Sequence, residues 1–143
     1  MTIDRIELLE FGVFDNNETD LQQQADDQSP VGYTLEANDL KIVTPIDEIE
    51  MKPGVTFGIR YKVHGDDEGD ELAYQRRIIH PDIKDPESGE VRTERIDIRG
   101  EKAGADTFDF YRLDEAHEMQ PGTWTFQLLD GPTVLLEKSF ELK

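Results

Sequence analysis

The chain contains no cysteine. Disulfides, thiolate zinc sites and thiol nucleophiles are therefore excluded, and the fold must rest on its apolar core. Basic residues are scarce: 15 lysines and arginines stand against 33 acids, a formal charge of −18. That balance argues against binding nucleic acid backbones or anionic membranes, which both require positive charge. It points to solubility or salt adaptation first, and to recognition of a partner second. No apolar run approaches the ~20 residues of a membrane span. The opening Met1-Thr2-Ile3-Asp4 has neither a basic nor an apolar leader pattern, so a cytoplasmic location is expected, although a chain trimmed of its leader would look the same. Only three serines occur, Ser29, Ser88 and Ser139, and none sits in the Gly-x-Ser-x-Gly elbow of a hydrolase. A phosphate-cradling Gly-x-x-x-x-Gly-Lys-Ser/Thr loop is missing as well.

What is present is strand pattern. Pro121-Gly122 opens an apolar run, Trp124-Thr125-Phe126-Gln127-Leu128-Leu129, Asp130-Gly131 closes it, and Thr133 to Leu142 returns. Turn chemistry and residue choice both write a β-hairpin. Gly54 to Gly65 alternates cleanly, with Val55, Phe57, Ile59, Tyr61 and Val63 pointing one way and Thr56, Gly58, Arg60, Lys62 and His64 the other. Arg5 to Phe14 reads as a strand with Leu9, Phe11 and Val13 on one face. Tyr33 to Met51 is extended and broken near Pro45, which belongs at a sheet edge or bulge. Leu72 to Ile83 and Val91 to Ile98 flank the turn Asp85-Pro86-Glu87-Ser88-Gly89, and Thr107 to Leu113 extends again. Asp114 to Gln120 is the one short helix expected. Asp15 to Pro30, rich in Asp, Asn and Gln, reads as a mobile loop.

Two segments echo each other: Met51-Lys52-Pro53-Gly54 before one strand and Met119-Gln120-Pro121-Gly122 before another. Both follow the recipe of a type II turn, with Pro presetting φ and Gly supplying φ > 0. The two strands are expected to meet in mid-core, with Trp124 against Phe57 or Ile59. Seven or eight short strands in 143 residues predict one all-β domain, an antiparallel two-sheet sandwich. An immunoglobulin-like fold is the first choice and a jelly roll or small barrel the second.

Three ordered blocks also carry a resemblance: Ile6 to Phe14, Gly58 to Gly65, and Pro121 to Phe126 with Glu137-Lys138-Ser139-Phe140. Together with Asp85-Pro86 and Gly89, they are similar to a bacterial family of uncharacterised proteins, domain-of-unknown-function family 3859. The resemblance spans nearly the whole chain. It implies a compact β domain and transfers no catalytic residue, because the family carries no assigned activity.

The remaining motifs point to no established chemistry. Asp114-Glu115-Ala116-His117 spells a helicase magnesium motif without the phosphate loop that chemistry requires, and His117-Glu118 lacks the second histidine of a zinc-protease helix. His64, His80 and His117 have spacings that give no support to a metal site. Asp66 to Glu71 places Glu71 where a calcium loop needs Gly and Arg77 where it needs Glu, and Asp15 to Asp20 fails similarly. A weak, irregular calcium site at a loop end stays open. Asn17-Glu18-Thr19 matches a glycosylation acceptor, which means little without a leader. Arg76-Arg77, with Arg60 and Lys62, is the one basic cluster; cross-strand pairing with acids is favoured over an anion site.

No cofactor, catalytic residue or metal ligand is assigned, and no binding residue is singled out. The expected product is a non-catalytic acidic binding or accessory module that contacts another protein by its loops or a sheet edge. The alternative, motivated by the surplus of acids with a few aromatics, Tyr33, Tyr61, Tyr74 and Tyr111, is a small enzyme or carbohydrate-binding protein with a carboxylate-lined cleft. A nucleic-acid mimic ranks third and needs its acids lined up on one face.

Overall fold

The computed structural model describes residues 3–14, 21–25, 33–37, 42–67 and 69–143, with side chains described in 3–14, 44–67 and 69–143. The strands are β1 (Ile3–Phe14), β2 (Leu21–Ala25), β3 (Tyr33–Ala37), β4 (Ile42–Thr44), β5 (Glu48–Ile49), β6 (Thr56–Gly65), β7 (Glu71–Lys84), β8 (Val91–Lys102), β9 (Asp106–Arg112), β10 (Gly122–Asp130) and β11 (Thr133–Leu142). A 3₁₀ turn at Ala116–Glu118 occupies the expected short helix. One sheet runs β4-β1-β6-β9 and the other β5-β11-β10-β7-β8, while β2 and β3 pair separately. These are two open layers rather than a closed barrel. Ladders are antiparallel except where β5 joins β11.

Alternation places the core between the layers. Phe57, Ile59, Tyr61 and Val63 of β6 and Trp124, Phe126 and Leu128 of β10 are all fully buried and belong to one cluster. Trp124 meets Phe57 edge-on at 5.7 Å between ring centroids, as expected. The hairpin closes at Asp130 opposite Thr133, with Gly131 at φ 59°. Pro45 marks where the chain leaves β4, at the edge of one sheet, for β5, at the edge of the other.

Local expectations need correcting. A register shift between Leu8 and Glu10 takes Leu9 out of the β1 ladder. Leu8, Phe11 and Val13 pack on the core instead of Leu9, Phe11 and Val13, because a bulge exchanges the faces beyond it. Thr56 and Gly58 are buried rather than facing water. The face of β6 turned away from the core is itself closely packed there, and a Cβ on Gly58 would stand 2.1 Å from the Asp109 carbonyl oxygen. Only one of the echoed segments makes a turn. Gly54 has φ 86°, and the Val55 N–H donates to the Lys52 carbonyl at 3.1 Å, as a type II turn requires. Gly122 has φ 133° and already pairs with Leu142, while the Gln120 carbonyl accepts from the Trp124 indole at 3.0 Å. Within the stretch read as a mobile loop, Leu21–Ala25 is a strand paired with Tyr33–Ala37. The rest of that stretch, including Asn17 and Asp15 to Asp20, lies outside the described residues.

Candidate functional site

β8, the last strand of one sheet, and β9, the last strand of the other, are joined by the turn at 103–105, and Arg99 of β8 bonds to Thr107 and Phe108 of β9 beside it. On β7, Leu72, Tyr74, Arg76, Ile78 and His80 alternate inward, so Arg76 is in phase with apolar neighbours. The β8 residues opposite Tyr74, Arg76 and Ile78 are Arg99, Asp97 and Arg95. Asp109 of β9 enters from the facing sheet and is 1% exposed. The result is a charged seam between the layers.

Its geometry is mostly self-satisfied. Arg76 forks onto Asp97, with Nε donating to Oδ1 at 2.9 Å and Nη2 to Oδ2 at 2.7 Å, the planar bidentate pairing that favours arginine. Arg99 donates to Glu101 at 2.9 Å, to the Phe108 carbonyl at 2.8 Å and to the Thr107 hydroxyl. Asp109 Oδ1 lies 3.9 Å from both Arg76 and Arg95, and among the described residues neither of its carboxylate oxygens accepts a hydrogen bond. Burial pushes the Asp109 carboxyl above its ordinary range, opposed by Arg76 and Arg95. The Tyr61 and Tyr74 hydroxyls bond each other at 2.6 Å; burial carries the first far up and the second to about 12.

A second polar cluster lies against Trp124. His80 stacks on the indole at 5.1 Å, and its Nδ1–H donates to the Pro81 carbonyl at 2.7 Å. Burial lowers its basicity, keeping the ring neutral. Tyr111 packs on Trp124 at 5.0 Å and donates its hydroxyl to Glu118, which also accepts from the Asp114 and Glu115 amides. Asp114 to His117, the helicase-like tetrapeptide, thus leads into and begins a 3₁₀ turn locked by Glu118.

These positions settle where the sequence candidates go. The basic cluster is not one patch. Arg76 is inside, Arg77 reaches outward to Glu94 and Gln127, and Arg60 pairs with Glu10 and Asp106 on the other sheet. Cross-strand pairing with acids is what these arginines do. Tyr61, Tyr74 and Tyr111 are buried rather than arrayed along an open cleft, and the Tyr33 side chain lies outside the described residues. His64 pairs with Glu7 at 2.9 Å on the outer face, away from His80 in the core and His117 in the 3₁₀ turn. Among the described residues no group of three or more histidines or acids is disposed around a metal position. No described helix is long and apolar enough to cross a membrane.

The outer face of the five-stranded sheet is different in kind. Ile98, Gln75, Leu129 and Val134 stand opposite one another across four strands. Ile98 is 75% exposed, Val134 44% and Ile96 38%. Sequence reasoning missed both this row and the seam.

Comparison with known proteins agrees with the architecture. A crystal structure of an immunoglobulin-like protein from Pseudomonas aeruginosa superposes with a TM-score of 0.64 at 22% identity, covering 96% of each chain. At that identity the likeness shows the fold, an immunoglobulin-like sandwich. No curated protein matches the chain. A family model, described as Domain of unknown function (DUF3859), matches residues 4–142. The chain therefore belongs to that family of unknown function.

Proposed function

We propose that the protein is a non-catalytic recognition module that contacts another protein through the outer face of its five-stranded sheet. One observation carries this reading. Most of the polar groups suited to chemistry are spent inside on one another, as Arg76 on Asp97 and Tyr111 on Glu118, while large apolar side chains are left in water on that face. Exposed apolar rows rimmed by polar residues are the surfaces proteins use for each other. Here Ile96, Ile98 and Val134 are bordered by the Arg77–Glu94 and Gln127–Glu137 pairs.

The test is affinity capture from native lysate at several salt concentrations. A stable partner should persist as salt rises, because apolar contact is not screened as charge is. Recovery of no partner, or of partners that vanish on modest salt addition, would count against the proposal.

A further inference from the structure

The strand β8 ends its sheet, and among the described residues nothing pairs with it on its far side. It is twelve residues long, Val91–Lys102, with the sequence VRTERIDIRGEK. A long free edge offers unpaired backbone groups to another strand, and monomeric proteins commonly blunt such edges with charge. The charges on β8 are patterned differently from a blunted edge. They are antisymmetric about Ile98: Asp97 and Arg99 flank it, then Ile96 and Gly100, then Arg95 and Glu101, then Glu94 and Lys102.

We infer that β8 is a self-recognition strand, pairing antiparallel with β8 of a second copy about a twofold axis through Ile98. In that register Asp97 faces Arg99, Arg95 faces Glu101 and Glu94 faces Lys102, each pair made twice, and no like charges are opposed. Moving the axis by one residue either way sets Asp97 against Asp97 or Arg99 against Arg99. Arg95 is turned in to Asp109, Asp97 is held by Arg76 and Arg99 by Glu101 and Phe108, so their part is to oppose no like charge; Lys102 is exposed, and Glu94, paired with Arg77, is half-buried.

The apolar side chains agree with the same axis. Ile98 is the most exposed large hydrophobic side chain among the described residues, and it would meet its own copy on the axis. Ile96 shares its face and stands opposite Gly100, where even an added Cβ would find its nearest neighbour at 3.9 Å. Four isoleucines would then close over the dyad, and the two five-stranded sheets would continue as one. The other edge of the sheet is the two-residue β5, too short to compete. An edge-to-edge contact falls at the small end of interfaces. Two bodies of −18 each repel until salt screens them, within about 8 Å at physiological ionic strength. The contact shares Ile96 and Ile98 with the margin of the partner face proposed above, and goes beyond it in using the backbone edge of β8 and a second copy of this chain.

Sedimentation equilibrium of the whole chain at about 0.15 M salt and about 100 μM protein tests this. Wild type should be a dimer. Ile98→Lys and Ile98→Asp place like charges on the axis, and each should weaken association more than about tenfold. Mixed in equal amounts, the two should re-form a dimer containing one of each, because Lys then faces Asp. Ile98 is exposed, so both variants should keep the wild-type circular dichroism; should either not fold, Lys102→Glu, which sets Glu94 against a new Glu, takes its place and should also weaken the dimer. A monomeric wild type, a dimer indifferent to these changes, or a mixture that stays monomeric would overturn the inference.

Discussion

Replacing Phe57 by Leu should remove the hub that joins the two sheets. The ring lies 5.7 Å from Trp124, 5.7 Å from Phe126 and 5.5 Å from Phe140, each edge-on, and 6.4 Å from Tyr111. Leucine keeps most of the apolar bulk, so the transfer loss is small, about 1 kcal/mol. Each edge-to-face contact is worth about 0.5–1.5 kcal/mol beyond buried area. They share one ring and relax together, so they do not simply add; the whole change should cost about 2–4 kcal/mol. For a chain of this length that is roughly a 10 °C fall in Tm. Urea unfolding followed by Trp124 fluorescence measures it, since the chain has a single tryptophan. A double-mutant cycle with Trp124→Phe, read by circular dichroism, should give a coupling of about 1 kcal/mol. A loss below about 1 kcal/mol, or strictly additive effects, would refute the claim that these rings bind the layers together.

Other outcomes follow from the same geometry. His80 is held neutral by burial, so its folded basicity lies below the ordinary value of about 6.5. Its contribution should be complete above that pH and lost as pH falls toward the folded value; urea midpoints should drop on acidification through this range, and His80→Phe should flatten that segment. Gly58→Ala forces a Cβ to 2.1 Å from a backbone oxygen. Because backbone cannot swing aside as a side chain can, a cost of about 3 kcal/mol or more is expected, read as lost soluble yield or a depressed Tm; wild-type stability would show that β6 and β9 are further apart.

The fold was legible where local chemistry and tertiary demand agree. Asp130-Gly131 announced its hairpin, and the alternation from Phe57 to Val63 announced a core strand that the opposite sheet buries. The two failures in β1 and at Pro121-Gly122 have one cause. A bulge and a strand start depend on what the neighbouring chain accepts, and the Leu9 and Gln120 backbones are positioned by β6 and by the Trp124 indole respectively. The seam was hidden for a different reason. On β8 simple alternation would turn Ile96 and Ile98 inward and Asp97 and Arg99 outward, whereas the structure does the reverse. A signal was available in Arg76, which keeps phase with Leu72, Tyr74 and Ile78 and so demands a buried acid such as Asp109. That acid lies 33 residues further on and in the other sheet, beyond the reach of periodicity.

The functional claim rests on which surface a partner touches, and site-specific photo-crosslinking in native lysate asks that most directly. A photoreactive residue at Val134 should capture the partner, while the same residue at Asp97, facing the seam and next to the β8 edge, should capture nothing but a second copy of this chain. Capture of a different protein from position 97 with silence at position 134 would contradict the account and make the seam the working site.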